Sequence, residues 1–247
     1  MRVGRSNVTK TDLTTHTLAQ RYLDILSNCA LQDIFHDSQN TSGVFLPGVS
    51  LSFDDAKHRV MVVGMETKKW RDESCPFKKG SIPTLDAVVE SMSVQRKCLE
   101  GPAGRHKFLQ FLKHVSKVAR ESLPGADVSI VWANMFCVSH AAKSPTKSPS
   151  IAQIQALSAN LLRAQIEIVD PEVILFTTGA GYDSFVRECF PERSDSKVIE
   201  PRCLWQFRLG PAICFRTSHP RYVAHNCWRE QAMDIAFRRL GKNADSA

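Results

Sequence analysis

The sequence has no apolar run long enough to span a bilayer. Its opening stretch, Met1 to Asp12, is polar and lacks the apolar segment of a secretory signal. A soluble cytoplasmic protein is therefore expected. Eight cysteines are present, yet none forms a Cys-x-x-Cys pair. Structural zinc and iron–sulfur sites usually carry such short pairs, so no metal and no cofactor is expected. The last four cysteines stand 11 to 14 residues apart, which is no known ligand spacing. They read as reduced thiols, several of them in the core. Internal repeats and a strong domain boundary are also missing.

What is present suits one globular domain over residues 1–247, with 1–11 and 242–247 expected as flexible tails. The 247 residues are 43% hydrophobic, enough for a sizeable core. A net charge of +7 fits a polyanionic partner such as nucleic acid. Apolar periodicity predicts helices over 11–31, 85–99, 106–123, 151–169 and 226–240, with a shorter one ending at Cys189. Thr11 or Asp12 and Ser150 are candidate caps. Four short apolar runs read as buried strands: 58–64, 127–132, 173–178 and 212–217. Strands alternating with helices predict an α/β fold, with a four-stranded, mostly parallel sheet between two helical layers.

In such sheets ligands bind beyond the carboxyl ends of the strands, so chemistry is expected there. After the first run comes Gly64-Met65-Glu66-Thr67-Lys68-Lys69-Trp70. The second leads into Trp132-Ala133-Asn134, and the fourth into Ser218-His219-Pro220-Arg221-Tyr222. A carboxylate, an amide and an imidazole thus lie just beyond three strands, at one edge of the predicted sheet.

These motifs resemble those of the uracil-DNA glycosylase superfamily over roughly residues 58–240. Gly64-Met65-Glu66-Thr67 is similar to the motif after that family's first strand. Trp132-Ala133-Asn134 is similar to its inner-strand Asn, and Ser218-His219-Pro220 to its His-Pro-Ser loop. The resemblance implies a three-layer αβα fold and a monofunctional DNA glycosylase that flips a base and leaves an abasic site. Cleaving an N-glycosidic bond builds positive charge on the sugar and negative charge on the base. On this reading Glu66 stabilises the cation and activates water, while His219 stabilises the leaving base. Asn134 and Met65 contact the base, and Trp70 or Phe77 stacks on it. Lys68, Lys69, Lys143, Lys147, Ser218, Arg221 and Tyr222 are the expected DNA contacts. Arg71, Lys78, Lys79 and Arg216 add positive charge near the motifs. DNA is the expected partner.

The sequence also departs from the family. Glu66 stands where relatives carry Asp, Asn or a non-ionisable residue, and Thr67 replaces the usual Pro. No Tyr occurs two positions after Glu66, and Arg221 replaces the Ser after His219-Pro220. In uracil-specific relatives that Tyr excludes larger 5-substituted bases, so a modified pyrimidine is expected. Some relatives in anti-phage defence remove glucosylated hydroxymethylcytosine. Rival readings are a uracil or mismatch repair glycosylase and a non-catalytic nucleic-acid-binding module. Two more are a dinucleotide site at Gly179-Ala180-Gly181 and a cysteine hydrolase using Cys137 with His140 or His219.

Overall fold

The computed structural model describes residues 10–70 and 83–244. Phe77, Arg71, Lys78, Lys79 and Cys75 lie outside them. The helices are α1 (Lys10–Ser27), α2 (Leu31–Ile34), α3 (Leu85–Glu100), α4 (Lys107–Ser122), α5 (Ile151–Val169), α6 (Asp183–Cys189) and α7 (Asn226–Ala244). The strands are β1 (His58–Gly64), β2 (Val128–Asn134), β3 (Val173–Phe176), β4 (Ser194–Glu200), β5 (Leu204–Leu209) and β6 (Ala212–Arg216). They form one sheet in the order β2-β1-β3-β6-β5-β4. The pairs β2–β1, β1–β3 and β3–β6 are parallel, while β5 runs antiparallel to both neighbours.

The four predicted strands are all present, but the sheet has six strands and is mixed. The two others were missed for different reasons. Most of β4 is exposed, so it shows no apolar alternation. It is an edge strand with register shifts, and Asp195 holds a positive φ of 49°. β5 carries buried Leu204, Trp205, Phe207 and Leu209, a legible pattern. It joins β6 through Gly210-Pro211, where Gly210 takes the positive φ that a two-residue hairpin turn needs.

Alternation along the central strands builds two cores. On β1, Met61 and Val63 pack with residues of α1, α3 and α5 on one face. Val60 and Val62 pack with α4 and α7 on the other. A strand buried on both faces must be apolar throughout, which is why 58–64 reads as a continuous run. On α4 the buried residues Phe108, Phe111, Leu112, Val115 and Ala119 recur at helical spacing.

Local differences have local causes. α1 starts at Lys10, which puts Thr11 and Asp12 inside the helix rather than at its cap. It ends at Ser27, where Asn28 bonds back to the Asp24 carbonyl through both its amide N–H (3.2 Å) and its side chain (2.8 Å). Ser150 precedes α5 but makes no cap bond; its hydroxyl donates to the Asp33 carbonyl at 2.6 Å. α7 continues past Gly241 to Ala244. Within the segment over 37–57, which contains Gly43, Pro47 and Gly48, the chain is buried from Thr41 to Val49. Its backbone is satisfied by Gly43 N–H to Trp70 O, Phe45 N–H to Cys137 O, and Tyr22 Oη–H to Pro47 O. Among the described residues no helix is long and apolar enough to cross a membrane.

Arg216, expected near phosphates, is instead buried at the end of β6. Its Nε lies 2.7 Å from Asp183 Oδ1 as a charge contact, and Nη2 donates to Oδ2 at 3.0 Å. Nη1 donates to the Arg202 carbonyl at 2.9 Å. This pair fastens the first turn of α6 to β6. The helix that follows Gly179-Ala180-Gly181, where a dinucleotide loop was one reading, is only seven residues long. Asp183→Ala would leave a buried guanidinium uncompensated and should cost about 3 kcal/mol in urea unfolding. Adding Arg216→Met should recover much of that loss, because the lone buried charge is then gone too.

Candidate active site

The register of β1 on β2 sets Gly64 opposite Asn134. Both residues end their strands, so the two chain segments beyond them enter the same space. The pairing continues past the strand ends: Met135 N–H donates to Gly64 O and Phe136 N–H to Met65 O. A Cβ on residue 64 would stand 2.5 Å from Asn134 Oδ1 and 3.0 Å from the Phe108 ring. Glycine is thus required for close packing here rather than for an unusual φ.

Above this contact lies a cavity of about 410 Å³. Met65, Glu66, Lys68, Trp70, Asn134, His219 and Arg221 all line it. The structure therefore brings together the carboxylate, the amide and the imidazole from the ends of β1, β2 and β6. Five more lining residues, Arg105, His106, Lys107, Phe108 and Leu109, come from the start of α4 and were not anticipated. Among the described residues that line the cavity, Glu66 is the only carboxylate, beside the cations Lys68, Arg105, Lys107 and Arg221.

Glu66 is partly buried, and burial raises its pKa above the usual carboxylate range. A hydrogen bond from Tyr182 and the charges of Lys68 and Arg221 oppose that rise. Tyr182 Oη lies 2.8 Å from Glu66 Oε2 and 2.7 Å from Ser144 Oγ. A phenol has one proton, so Tyr182 donates to the carboxylate while Ser144 donates to Tyr182. Nothing in the sequence around Tyr182 marked this role.

Asn134 is 7% exposed. Its Oδ1 accepts from Trp132 Nε1–H at 3.1 Å, and its Nδ2 has no partner. Trp70 is held in an aromatic cluster, 5.1 Å from Phe45 and 6.1 Å from Trp132 between ring centroids. Its ring packs edge-on against both and lines the cavity.

His219 lies over Phe108, with ring centroids 6.4 Å apart and planes at 26°. Its Nδ1 accepts the Arg221 backbone N–H at 3.1 Å, which leaves the ring hydrogen on Nε2. Burial, with Arg221, Arg229, His106 and Lys68 nearby, lowers its pKa from 6.5 to about 4. At neutral pH the ring is an uncharged hydrogen-bond donor.

The loop carrying His219 is held by Arg229, which is 2% exposed. Its guanidinium donates to the carbonyls of Ser218 (3.1 Å), His219 (3.3 Å) and Tyr222 (2.9 Å), and to Asn226 Oδ1. Arg229 begins the buried stripe of α7, which continues through Ala232, Met233, Ala236, Phe237 and Leu240. A charged residue in phase with an apolar stripe is the signal in the sequence that marks it.

The other expected contacts lie outside the cavity. Ser218 is buried, bonds His225 Nδ1 at 2.6 Å and is not among the described lining residues. Lys69, Lys143 and Lys147 are exposed and do not line it. Tyr222 and Val223 stand out at 63% and 67% exposure. Cys137 is buried, and its Sγ accepts a hydrogen bond from Ser158. It does not line the cavity, which removes the geometric basis for a cysteine hydrolase there.

The low pKa of His219 makes a signed prediction. Between pH 6.5 and 4 the unfolded chain binds a proton at this ring that the folded chain refuses. That part of the stability is complete above 6.5 and is lost as pH falls toward 4. Urea midpoints measured across this window should fall less steeply for His219→Gln than for the unsubstituted protein.

No protein-family model matches the chain, and no curated protein matches it.

Proposed function

We propose that the cavity is the active site of a DNA glycosylase of the uracil-DNA glycosylase kind, acting on a flipped-out pyrimidine larger than uracil. The observation that carries this reading is the meeting of Glu66, Asn134 and His219 in one cavity at the carboxyl edge of the sheet. Each group has the state its role needs. The neutral His219 can donate from Nε2 to a carbonyl of the departing base, where negative charge develops. Glu66 lies on the same lining and can accept a proton from water.

Water oxygen then bonds to C1′ of the sugar as the bond from C1′ to the base nitrogen breaks. The bonding pair leaves with the base. The proton released by water passes to Glu66 and is available to neutralise the free base. No residue forms a covalent intermediate, and the product strand keeps its phosphodiester bonds.

The surroundings support a polyanionic substrate. Lys68, Arg105, Lys107 and Arg221 ring the opening, and phosphates need such charge. Tyr222 and Val223 project beside His219 and suit a wedge that fills the space of an extruded base. The volume lies in the range of pockets for ligands larger than a single ring. Lys68, the residue two after Glu66, places no aromatic ring to exclude 5-substituents.

The test is base release from DNAs carrying uracil, hydroxymethylcytosine, glucosylated hydroxymethylcytosine or ordinary bases, read as alkali-labile sites. One substrate should be cut, and Glu66→Gln should lower its rate by roughly 10²–10⁴-fold. Silence across the set, with DNA still bound, would leave a binding module in place of the enzyme.

The pH profile supplies a second expectation. The acid limb of the rate should lie above the usual range for a carboxylate. Tyr182→Phe removes a bond that favours ionised Glu66, so it should move that limb to still higher pH. A limb unmoved by the substitution would detach Glu66 from the proton transfer.

A further inference from the structure

Asn134 is held in one orientation by its neighbours. The indole of Trp132 can only donate, so it fixes the amide with Oδ1 toward itself, at 3.1 Å. The other side of that oxygen is closed by Gly64, since even a Cβ there would come within 2.5 Å. Oδ1 is therefore spent within the protein. Nδ2, with two hydrogens, is buried without a partner in a side chain bordering the cavity. Trp70 Nε1–H and Thr67 Oγ1, on the same lining, are likewise buried and unpartnered, and of the three atoms only the hydroxyl can also accept. Buried donors are rarely left unpaired, so the orphan amide and indole beside a cavity point to acceptors on its ligand.

The rest of the lining has the same bias. His219 offers Nε2–H, and Lys68, Arg105, Lys107 and Arg221 only donate. Among the described lining residues, Asn134 Oδ1 and the Nδ1 atoms of His106 and His219 accept within the protein, which leaves the Glu66 carboxylate, bonded by Tyr182, and the Thr67 hydroxyl as side-chain oxygen acceptors.

We propose that Trp132 makes Asn134 a donor-only reader, and that the cavity takes a ring whose recognised edge carries adjacent acceptors, as cytosine-type bases do at O2 and N3. This rests on the reading of the cavity as a base pocket. A uracil-type base sets an N–H at position 3, between its carbonyls. That N–H would face the Asn134 amide donor to donor, and burying it unpaired carries a penalty. A site with matched groups rejects the mismatched base far better than one that senses only shape.

The experiment measures binding rather than turnover. Duplexes carry a single 2′-fluoro-2′-deoxycytidine or 2′-fluoro-2′-deoxyuridine, each opposite a gap; the fluorine slows loss of the base. The full chain should bind the cytosine-type duplex ~10-fold or more tightly. Trp132→Phe keeps an aromatic ring in the cluster but frees Oδ1 and lets the amide turn, so the preference should shrink to about two-fold. Asn134→Asp can only accept at this position and should reverse the preference; it carries the test if Trp132→Phe does not fold.

Equal binding of the two duplexes by the full chain, or a full preference in Trp132→Phe, would overturn the proposal. Failure to bind either duplex would overturn it along with the DNA reading. Base release without the preference sinks only the reader. The preference without base release from any substrate sinks only the glycosylase.

Discussion

The close approach of Gly64 to Asn134 is the contact on which the site depends. It arises from the parallel register of β1 on β2, in which the two residues are partners at the strand ends. Any side chain at 64 would displace the Asn134 amide or the Phe108 ring. Because the strands end in step, Glu66 leaves β1 next to the amide that ends β2. The start of α4 then closes the cavity from the side through Phe108, against which His219 is stacked.

Burial gives the titrating groups their chemical states. It raises the Glu66 pKa and lowers that of His219, so each group is pushed away from its charged form. For His219 the neighbouring cations push the same way, and a neutral donor results. For Glu66 the cations and Tyr182 push back, and keep the carboxylate available as a base. The cations lining the cavity thus help to set the protonation of the groups inside, and on the proposed function they also attract phosphates. Arg229 belongs to this balance as well, because it holds the His219 loop by its carbonyls while adding positive charge behind the ring.

Much of this was legible in the sequence, for identifiable reasons. The central strands are buried on both faces, so β1, β2, β3 and β6 appear as apolar runs. Residues directly beyond such runs must lie at one edge, which is how Glu66, Asn134 and His219 could be grouped. β4 was illegible because an exposed edge strand needs no apolar pattern. Arg216 was misread because charge alone does not distinguish a surface cation from a buried one; its partner Asp183 is far away in the chain. Tyr182 reaches Glu66, and the start of α4 reaches the cavity, only through tertiary packing. The donor-only state of Asn134 depends on Trp132 sharing its strand face two residues earlier, a spacing visible in Trp132-Ala133-Asn134 but silent about its hydrogen bond.

The central claim is that these groups break the bond between a base and its sugar, and no other bond. Mass spectrometry of the small product formed from modified DNA tests it most directly. A free base is the predicted product, with the strand shortened by none of its phosphates. A released nucleoside or nucleotide, or no small product from DNA that the protein binds, would contradict it.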